Sequence, residues 1–261
     1  MSDSPAALGH LVAPAHWRRI DLLSDVHLHA QAPATAALWC EHLRHTDADA
    51  VLMLGDLFEA WVGDDARHQG FEQQMLQVLR EASARLTLAF LPGNRDFLLG
   101  AAMAADAGLL LLDDPCLLEA FGQRWLLGHG DAWCVDDVAY QRFRAQVRAP
   151  AWQQAFLAQP LAERQRQART MREASQARQA GLPAADYGEV DPGCAAQALH
   201  THGATTLIHG HTHRPGCHAL PGGGTRHVLG DWDAEATPPR ARWLRLDAQG
   251  LHPRDATRPA A

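Results

Sequence analysis

Five short apolar runs in this chain stop in the same way, at a turn that carries an oxygen or nitrogen ligand. The run 18–23 leads into Ser24-Asp25-Val26-His27, and 51–54 leads into Gly55-Asp56. The run 86–91 leads into Pro92-Gly93-Asn94-Arg95-Asp96, 125–127 into Gly128-His129-Gly130-Asp131, and 205–208 into His209-Gly210-His211-Thr212-His213. Short apolar runs bounded by Gly and Pro predict buried strands, and an open α/β sheet holds its ligands at the carboxyl ends of such strands. Side chains two apart on an extended segment point the same way. Asp25 therefore pairs with His27, and His211 with His213, while His209 either supports the ligands from behind or serves in packing. Between the strands, 34–44 reads as a helix opened by Pro33, and 71–85 carries Met75, Leu76, Val78 and Leu79 on helical spacing. Phe58, Trp61 and Val62 read as core, and Asp64 and Asp65 as a solvated turn. Two further β-like runs occupy 109–112 and 116–121.

The pattern changes after Cys134. Alternation gives way to Arg, Gln and Ala, with Trp152, Phe156, Leu157, Leu161 and Met171 at irregular helical intervals. Residues 134–187 predict a helical insertion over the site, with a solvated helical hairpin as the other reading. A helix returns at 191–202, with Asp191 as N-cap and Pro192 at its first position. Three more strand candidates follow in 216–247, including 226–229 and 241–246. The resulting organisation is a core of 17–133 and 188–249, an insertion of 134–187, and flexible termini at 1–16 and 250–261.

At 261 residues, 47% hydrophobic and 20% charged, the chain is long enough for one large α/β domain with an insertion. A formal charge of −7 argues against general nucleic-acid binding, which needs a basic surface, but not against a phosphate substrate held through bound cations. All 23 basic residues are Arg, so a phosphate clamp must be an Arg, a metal or a backbone amide. The five scattered Cys form no CxxC pair and predict thiols in a reducing compartment. The N-terminal residues lack a basic signal-like region, and no run approaches the ~20 apolar residues of a spanning helix. The expected location is cytoplasmic, with membrane contact from one side only.

Two Asp, one Asn and four His make seven ligands, more than one ion uses while keeping an open position. They suit two ions sharing a carboxylate, about 3.5–4 Å apart, an arrangement that clamps attacking and leaving oxygens in a displacement at phosphorus. Without a thiolate, the set favours Mn, Fe, Zn or Co. Arg95, beside Asn94, presents a planar five-donor fork suited to phosphoryl oxygens.

The series Asp-x-His, Gly-Asp, Gly-Asn-x-Asp, Gly-His-Gly-Asp and Gly-His-Thr-His, in this order, resembles the calcineurin-like metallophosphoesterases. That resemblance implies an α/β fold, a β-sandwich flanked by helices, with a helical cap insertion. It also implies that Asp25, His27 and His213 hold one ion, that Asn94, His129 and His211 hold the other, and that Asp56 bridges them. Much of that superfamily has a His after the Asn, where this chain has Arg95. Arg keeps its proton at neutral pH, so the role is electrostatic and the leaving group must need little protonation, as a phosphate does. Over nearly the whole chain, SDVHL, LGDLFEAWVGDD, PGNRDFLLG, HGDAWCVDD-x-x-Y and IHGHTHRP are similar to the UDP-2,3-diacylglucosamine pyrophosphohydrolases of lipid A synthesis.

That family implies cleavage of UDP-2,3-diacylglucosamine to UMP and 2,3-diacylglucosamine 1-phosphate by water activated at two Mn ions. It also implies peripheral contact with the cytoplasmic face of the inner membrane, with no nucleic-acid partner and a monomeric state. Asp56, Asn94, Arg95 and His211 would be catalytic. Asn94, Arg95 and His211 would touch the substrate phosphates, Asp137 the sugar–nucleotide part and Ser175 the cap side. Past Ser175 the family supplies further polar or Lys contacts, whereas 177–185 here reads ARQAGLPAA, leaving Gln179 or Arg178 as substitutes. The family's Met-Asp-Val is Gly188-Glu189-Val190 here. The alternatives are a broad metallophosphodiesterase of the same fold and a non-catalytic binding module.

Overall fold

The structure is a computed structural model that describes residues 9–180 and 188–257, the side chains of 175–180 excepted. In chain order the strands are β1 (Gly9–Val12), β2 (Ile20–Leu23), β3 (Ala50–Leu54), β4 (Thr87–Leu91), β5 (Leu109–Leu111), β6 (Cys116–Ala120), β7 (Gln123–Leu127), β8 (Thr206–His209), β9 (Gly216–Ala219), β10 (Thr225–Val228), β11 (Trp232–Asp233), β12 (Arg240–Asp247) and β13 (Gly250–Asp255). The helices are α1 (Pro33–His45), α2 (Gly70–Ser83), α3 (Ala101–Ala107), α4 (Val138–Arg148), α5 (Pro150–Leu157), α6 (Leu161–Ala180) and α7 (Pro192–His202).

The strands form two sheets, a six-stranded one in the order β1-β6-β7-β8-β10-β9 and a seven-stranded one in the order β11-β12-β2-β3-β4-β5, with β13 paired to β12. Strands β2, β3, β4 and β5 run parallel, as do β7 and β8. The period of two along each strand builds the layers. Ile20, Leu22, Ala50, Leu52, Leu54, Ala89 and Leu91 meet Cys116, Leu118, Trp125, Leu127 and Ile208 in a core between the sheets. Their neighbours Leu23, Val51, Met53, Leu88 and Phe90 face the other way and pack with Trp39 and Leu43 of α1, Leu76 and Leu79 of α2 and Met103 of α3. On the opposite side, Leu117, Leu126 and Leu207 cover Ala195 and Leu199 of α7. Helix, sheet, sheet, helix is therefore the layer order, and the doubly buried strands β2 and β3 read as unbroken apolar runs for that reason.

Local signals behave as expected at α7, where the Asp191 carboxylate accepts from the Cys194 N–H at 2.7 Å and Pro192 opens the helix. Three expectations are corrected. Residues 9–12, assigned to a mobile leader, form β1, parallel to β6, and 250–255, assigned to a frayed tail, form β13 against β12. Asp64 is no solvated turn: its Oδ1 accepts from Gly100 N at 2.9 Å and its Oδ2 from Ala102 N and Met103 N at 3.0 Å, so it caps α3. Asp65 pairs with Arg164 of α6. No described helix is long and apolar enough to cross a membrane.

His42 of α1 is buried between Trp232 and Trp243, its ring centroid 4.5 Å from that of Trp243. Burial first, with Arg245 nearby, pushes its pKa from 6.5 down to about 4, although Asp21 at 3.5 Å acts in the opposite sense. A folded-state value below the unfolded one leaves stability intact above about 6.5 and drains it as pH falls toward about 4. Denaturant unfolding at pH 7 and pH 5 should therefore show a smaller acid loss for His42→Leu than for the wild type. Parallel losses in both proteins would remove His42 as the cause.

Candidate metal centre

All seven predicted ligands lie at one edge of the sandwich, where the carboxyl ends of β2, β3, β4, β7 and β8 meet. His213 Nε2 is 3.2 Å from Asp25 Oδ1 and 3.3 Å from His27 Nε2. Asn94 Oδ1 is 2.9 Å from both His129 Nε2 and His211 Nδ1, and His129 Nε2 is 3.6 Å from Asp56 Oδ1. Donor atoms of Asp25, His27 and His213 fall within 4.8 Å of one another, and so do those of Asp25, Asp56 and His129. Asp25 thus joins both groups, a proximity that the motif spacing did not reveal. The donors are carboxylate, amide oxygen and imidazole, a set that fits borderline divalent ions.

The backbone bends sharply to achieve this. Asp25, His27, Asp56, His211 and His213 have φ between 52° and 66°, and Phe121 is the only other described non-Gly residue with positive φ. Such conformations are costly for L residues and persist where the surroundings over-determine them. Gly residues permit the close approach. A Cβ on Gly55 would stand 2.5 Å from His129 Nδ1 and 2.6 Å from Gly93 Cα, and one on Gly210 would collide with Asp25 and Ser24. His129 Nδ1 lies 3.0 Å from the Leu54 carbonyl. Donation there leaves Nε2 for the cluster.

The charges are strongly coupled. Burial opposes ionisation of Asp25, yet His213, His129 and His27 hold its carboxyl well below the usual carboxylate range. Burial also disfavours charge on His129, but Asp56, Asp25 and Asp131 outweigh it and bring the imidazole up to about 9. Burial and then His129 push His211 down to about 4. His209 is buried with Nδ1 at 2.8 Å from the Gly210 carbonyl and belongs to neither donor group.

Arg95 sits at the border of the cluster. Its backbone N–H donates to Asp56 Oδ1 at 2.9 Å and its NH1 to Glu59 Oε1 at 2.9 Å. Asp137 caps α4, its Oδ1 accepting from Tyr140 N at 2.9 Å. Ser175 lies in α6, but its side chain is outside the described residues, as are those of Arg178 and Gln179.

Sequence reading missed three acidic residues. Asp96 is fully buried and accepts from the N–H groups of Leu57 at 2.7 Å, Gly93 at 2.9 Å, and Asp56 and Phe58 at 3.2 Å, tying the β3 turn to the β4 turn. Its signal was a carboxylate within a Gly-Asn turn, whose backbone donors need an acceptor. Glu59 lies 3.1 Å from His27 Nδ1 and 2.6 Å from Arg172 Nε. A lone charge among Leu57, Phe58, Ala60, Trp61 and Val62 could have been found by asking what pairs it. Asp131 accepts from Tyr140 Oη at 2.5 Å and Arg144 Nε at 2.8 Å, anchoring α4 next to His129.

The chain belongs to the calcineurin-like phosphoesterase family, a family of metal-dependent hydrolases, whose sequence profile matches residues 18–215. Within it, the chain is similar to proteins named UDP-2,3-diacylglucosamine hydrolase. One from Stenotrophomonas maltophilia strain K279a is 44% identical over 241 residues, 87% of this chain and 94% of that protein. One from Xanthomonas campestris pv. campestris strain ATCC 33913 is 43% identical over 240 residues, 88% of this chain and 95% of that one. A third, from Chromobacterium violaceum strain ATCC 12472, is 45% identical over 234 residues, with 89% and 96% covered.

Asp96→Asn swaps an acceptor oxygen for an N–H donor against backbone donors. An unpaired buried group costs about 1–3 kcal/mol, so Asp96→Asn should unfold at lower denaturant and bind divalent ions more weakly. Wild-type stability together with wild-type ion binding would show that the four N–H contacts do not set the loop geometry.

Proposed function

We propose that this chain hydrolyses the pyrophosphate of UDP-2,3-diacylglucosamine, releasing UMP and 2,3-diacylglucosamine 1-phosphate for lipid A synthesis. The observation that carries the reading is an apolar cavity of about 390 Å³ that opens onto Asn94 and Arg95. Trp61, Phe97, Phe143, Trp152, Phe156 and Met171 help to line it, from the core on one side and the 138–174 helices on the other. Within it, Trp152 and Phe156 stack at 4.8 Å, and Phe97 lies 6.3 Å from Trp152. A phosphate-directed cluster that borders a slot of aromatic and aliphatic walls suits a substrate with a diphosphate at one end and acyl chains at the other.

In this reading Asp25, His27 and His213 would hold one divalent ion, Asn94, His129 and His211 the other, and Asp56 would serve both. Mn is the metal expected by likeness to the family. Two such ions, when bound, supply a nucleophilic water at neutral pH and Lewis-acid polarisation of phosphoryl oxygens. Asn94 and His211 orient the phosphate beside the cluster. Arg95, fixed by Glu59, donates hydrogen bonds to phosphoryl oxygens as charge develops and gives up no proton. The departing phosphate needs none. Asp137 at the head of α4 faces the sugar–nucleotide part, and Ser175 belongs to the cap side. Residues 134–187 act as the cap, whose aromatic faces exclude water and grip the chains. The protein acts as a monomer that meets the cytoplasmic face of the inner membrane peripherally. Exposed Val138 and Leu157 on the cap helices, neither of which lines the cavity, support such contact.

The test is UMP release from UDP-2,3-diacylglucosamine with and without Mn. Turnover should require the ion, and equal turnover of simple aryl phosphodiesters would favour the broad phosphodiesterase reading. Arg95→Ala should lower kcat by about 100–1,000-fold while metal content stays at the wild-type level. Asp56→Ala should instead lose both ions, and retention of two ions by that variant would overturn the bridging assignment.

A further inference from the structure

Glu59 is 8% exposed and stands where three functions meet. Its segment is laid against the β2 turn by backbone bonds, Leu28 N to the Leu57 carbonyl at 2.8 Å and Glu59 N to the Leu28 carbonyl at 3.2 Å. That pairing brings Oε2 to 3.1 Å from His27 Nδ1, while Oε1 is 2.9 Å from Arg95 NH1 and 2.6 Å from Arg172 Nε. Arg172 comes from α6, on the far side of the apolar cavity, and Glu59, Arg95 and Arg172 all line that cavity.

We infer that Glu59 is a positioning residue whose one carboxylate sets the orientation of His27 toward the ion cluster and of Arg95 and Arg172 toward the substrate cavity. The inference rests on the reading of His27 as a metal ligand and of the cavity as the substrate site. Its chemistry is a division of labour between two oxygens. His27 Nδ1 is buried with no hydrogen-bond partner of its own among the described residues, and Glu59 Oε2, 3.1 Å away, is the carboxylate placed to hold a proton there; a proton kept at Nδ1 leaves Nε2, 3.3 Å from His213 Nε2, free for the cluster. Carboxylates placed beside a ligating imidazole fix its tautomer and ring orientation. Oε1 holds two guanidiniums, each of which keeps further N–H donors for a ligand. One negative charge shared among three cationic or donor groups leaves the mouth of the cavity positive, which suits a diphosphate. It also fastens α6 to the loop that follows β3.

The test compares Glu59→Ala, Glu59→Gln and Arg172→Ala by divalent-ion titration with Mn and by separate kcat and KM for UDP-2,3-diacylglucosamine. Glu59→Ala should weaken ion affinity by about 10–100-fold. Glu59→Gln keeps an oxygen for His27 Nδ1 and should restore most of that affinity, yet it lacks the charge that holds the guanidiniums, so KM should stay raised. Arg172→Ala should raise KM with ion affinity unchanged. Wild-type ion affinity in Glu59→Ala, or equal loss of affinity in the Gln and Ala variants, would overturn the inference. The wild-type titration separates this from failure of the underlying reading: a wild-type chain that takes up no divalent ion refutes the ligand set itself, whereas uptake unaffected by Glu59→Ala refutes only the role of Glu59.

Discussion

Two carboxylates, Asp25 at 0% and Asp56 at 2% exposure, are buried side by side at the carboxyl edge of the sheets, with Asp96 fully buried behind them. Buried negative charge is tolerable only where cations and hydrogen-bond donors surround it. The rest of the site answers that constraint. Imidazoles arrive from β7 and β8, while backbone N–H groups of the β3 and β4 turns converge on Asp96. Strain at five of the seven predicted ligand positions, all with positive φ, is held in place because the strands behind them are locked on both faces. Gly55 and Gly210 allow the turns to approach closer than any side chain would permit.

The helices of 138–174 are fastened to this edge by arginines, the sole cationic side chains of the protein at neutral pH besides any charged His. Arg144 reaches Asp131 and Asp114, and Arg148 donates to the Gly93 carbonyl at 2.9 Å while lying over the Phe97 ring. Arg164 meets the Val62 carbonyl and Asp65, and Arg172 meets Glu59. A guanidinium can bond two acceptors in one plane and still lie flat on an aromatic ring. The anchor points Gly93, Asp131 and Glu59 each adjoin a turn that carries a predicted ligand. Displacement of the helices therefore acts directly on the cluster, while their inner faces remain apolar enough to wall the cavity.

The sequence by itself determined the strands that carry the site, their turns and the seven residues that gather at its edge, because each of these is a local signal. An apolar run of strand length followed by Gly and a polar residue reads the same in isolation as in the fold. Asp191 capping α7 and the burial of Phe58, Trp61 and Val62 were legible on the same grounds. Tertiary structure decided what depends on partners distant in sequence. Only β6 makes a strand of 9–12, and only β12 makes one of 250–255. Asp64 looked like a solvated turn until α3 arrived to be capped by it, and nothing near Glu59 in sequence announces Arg172. Asp25 belongs with Asp56 and His129 as well as with His27 and His213 because two sheets bring their edges together. Propensity and spacing act within a few residues. Which buried charge is neutralised by which cation is set by the packing of one sheet against the other.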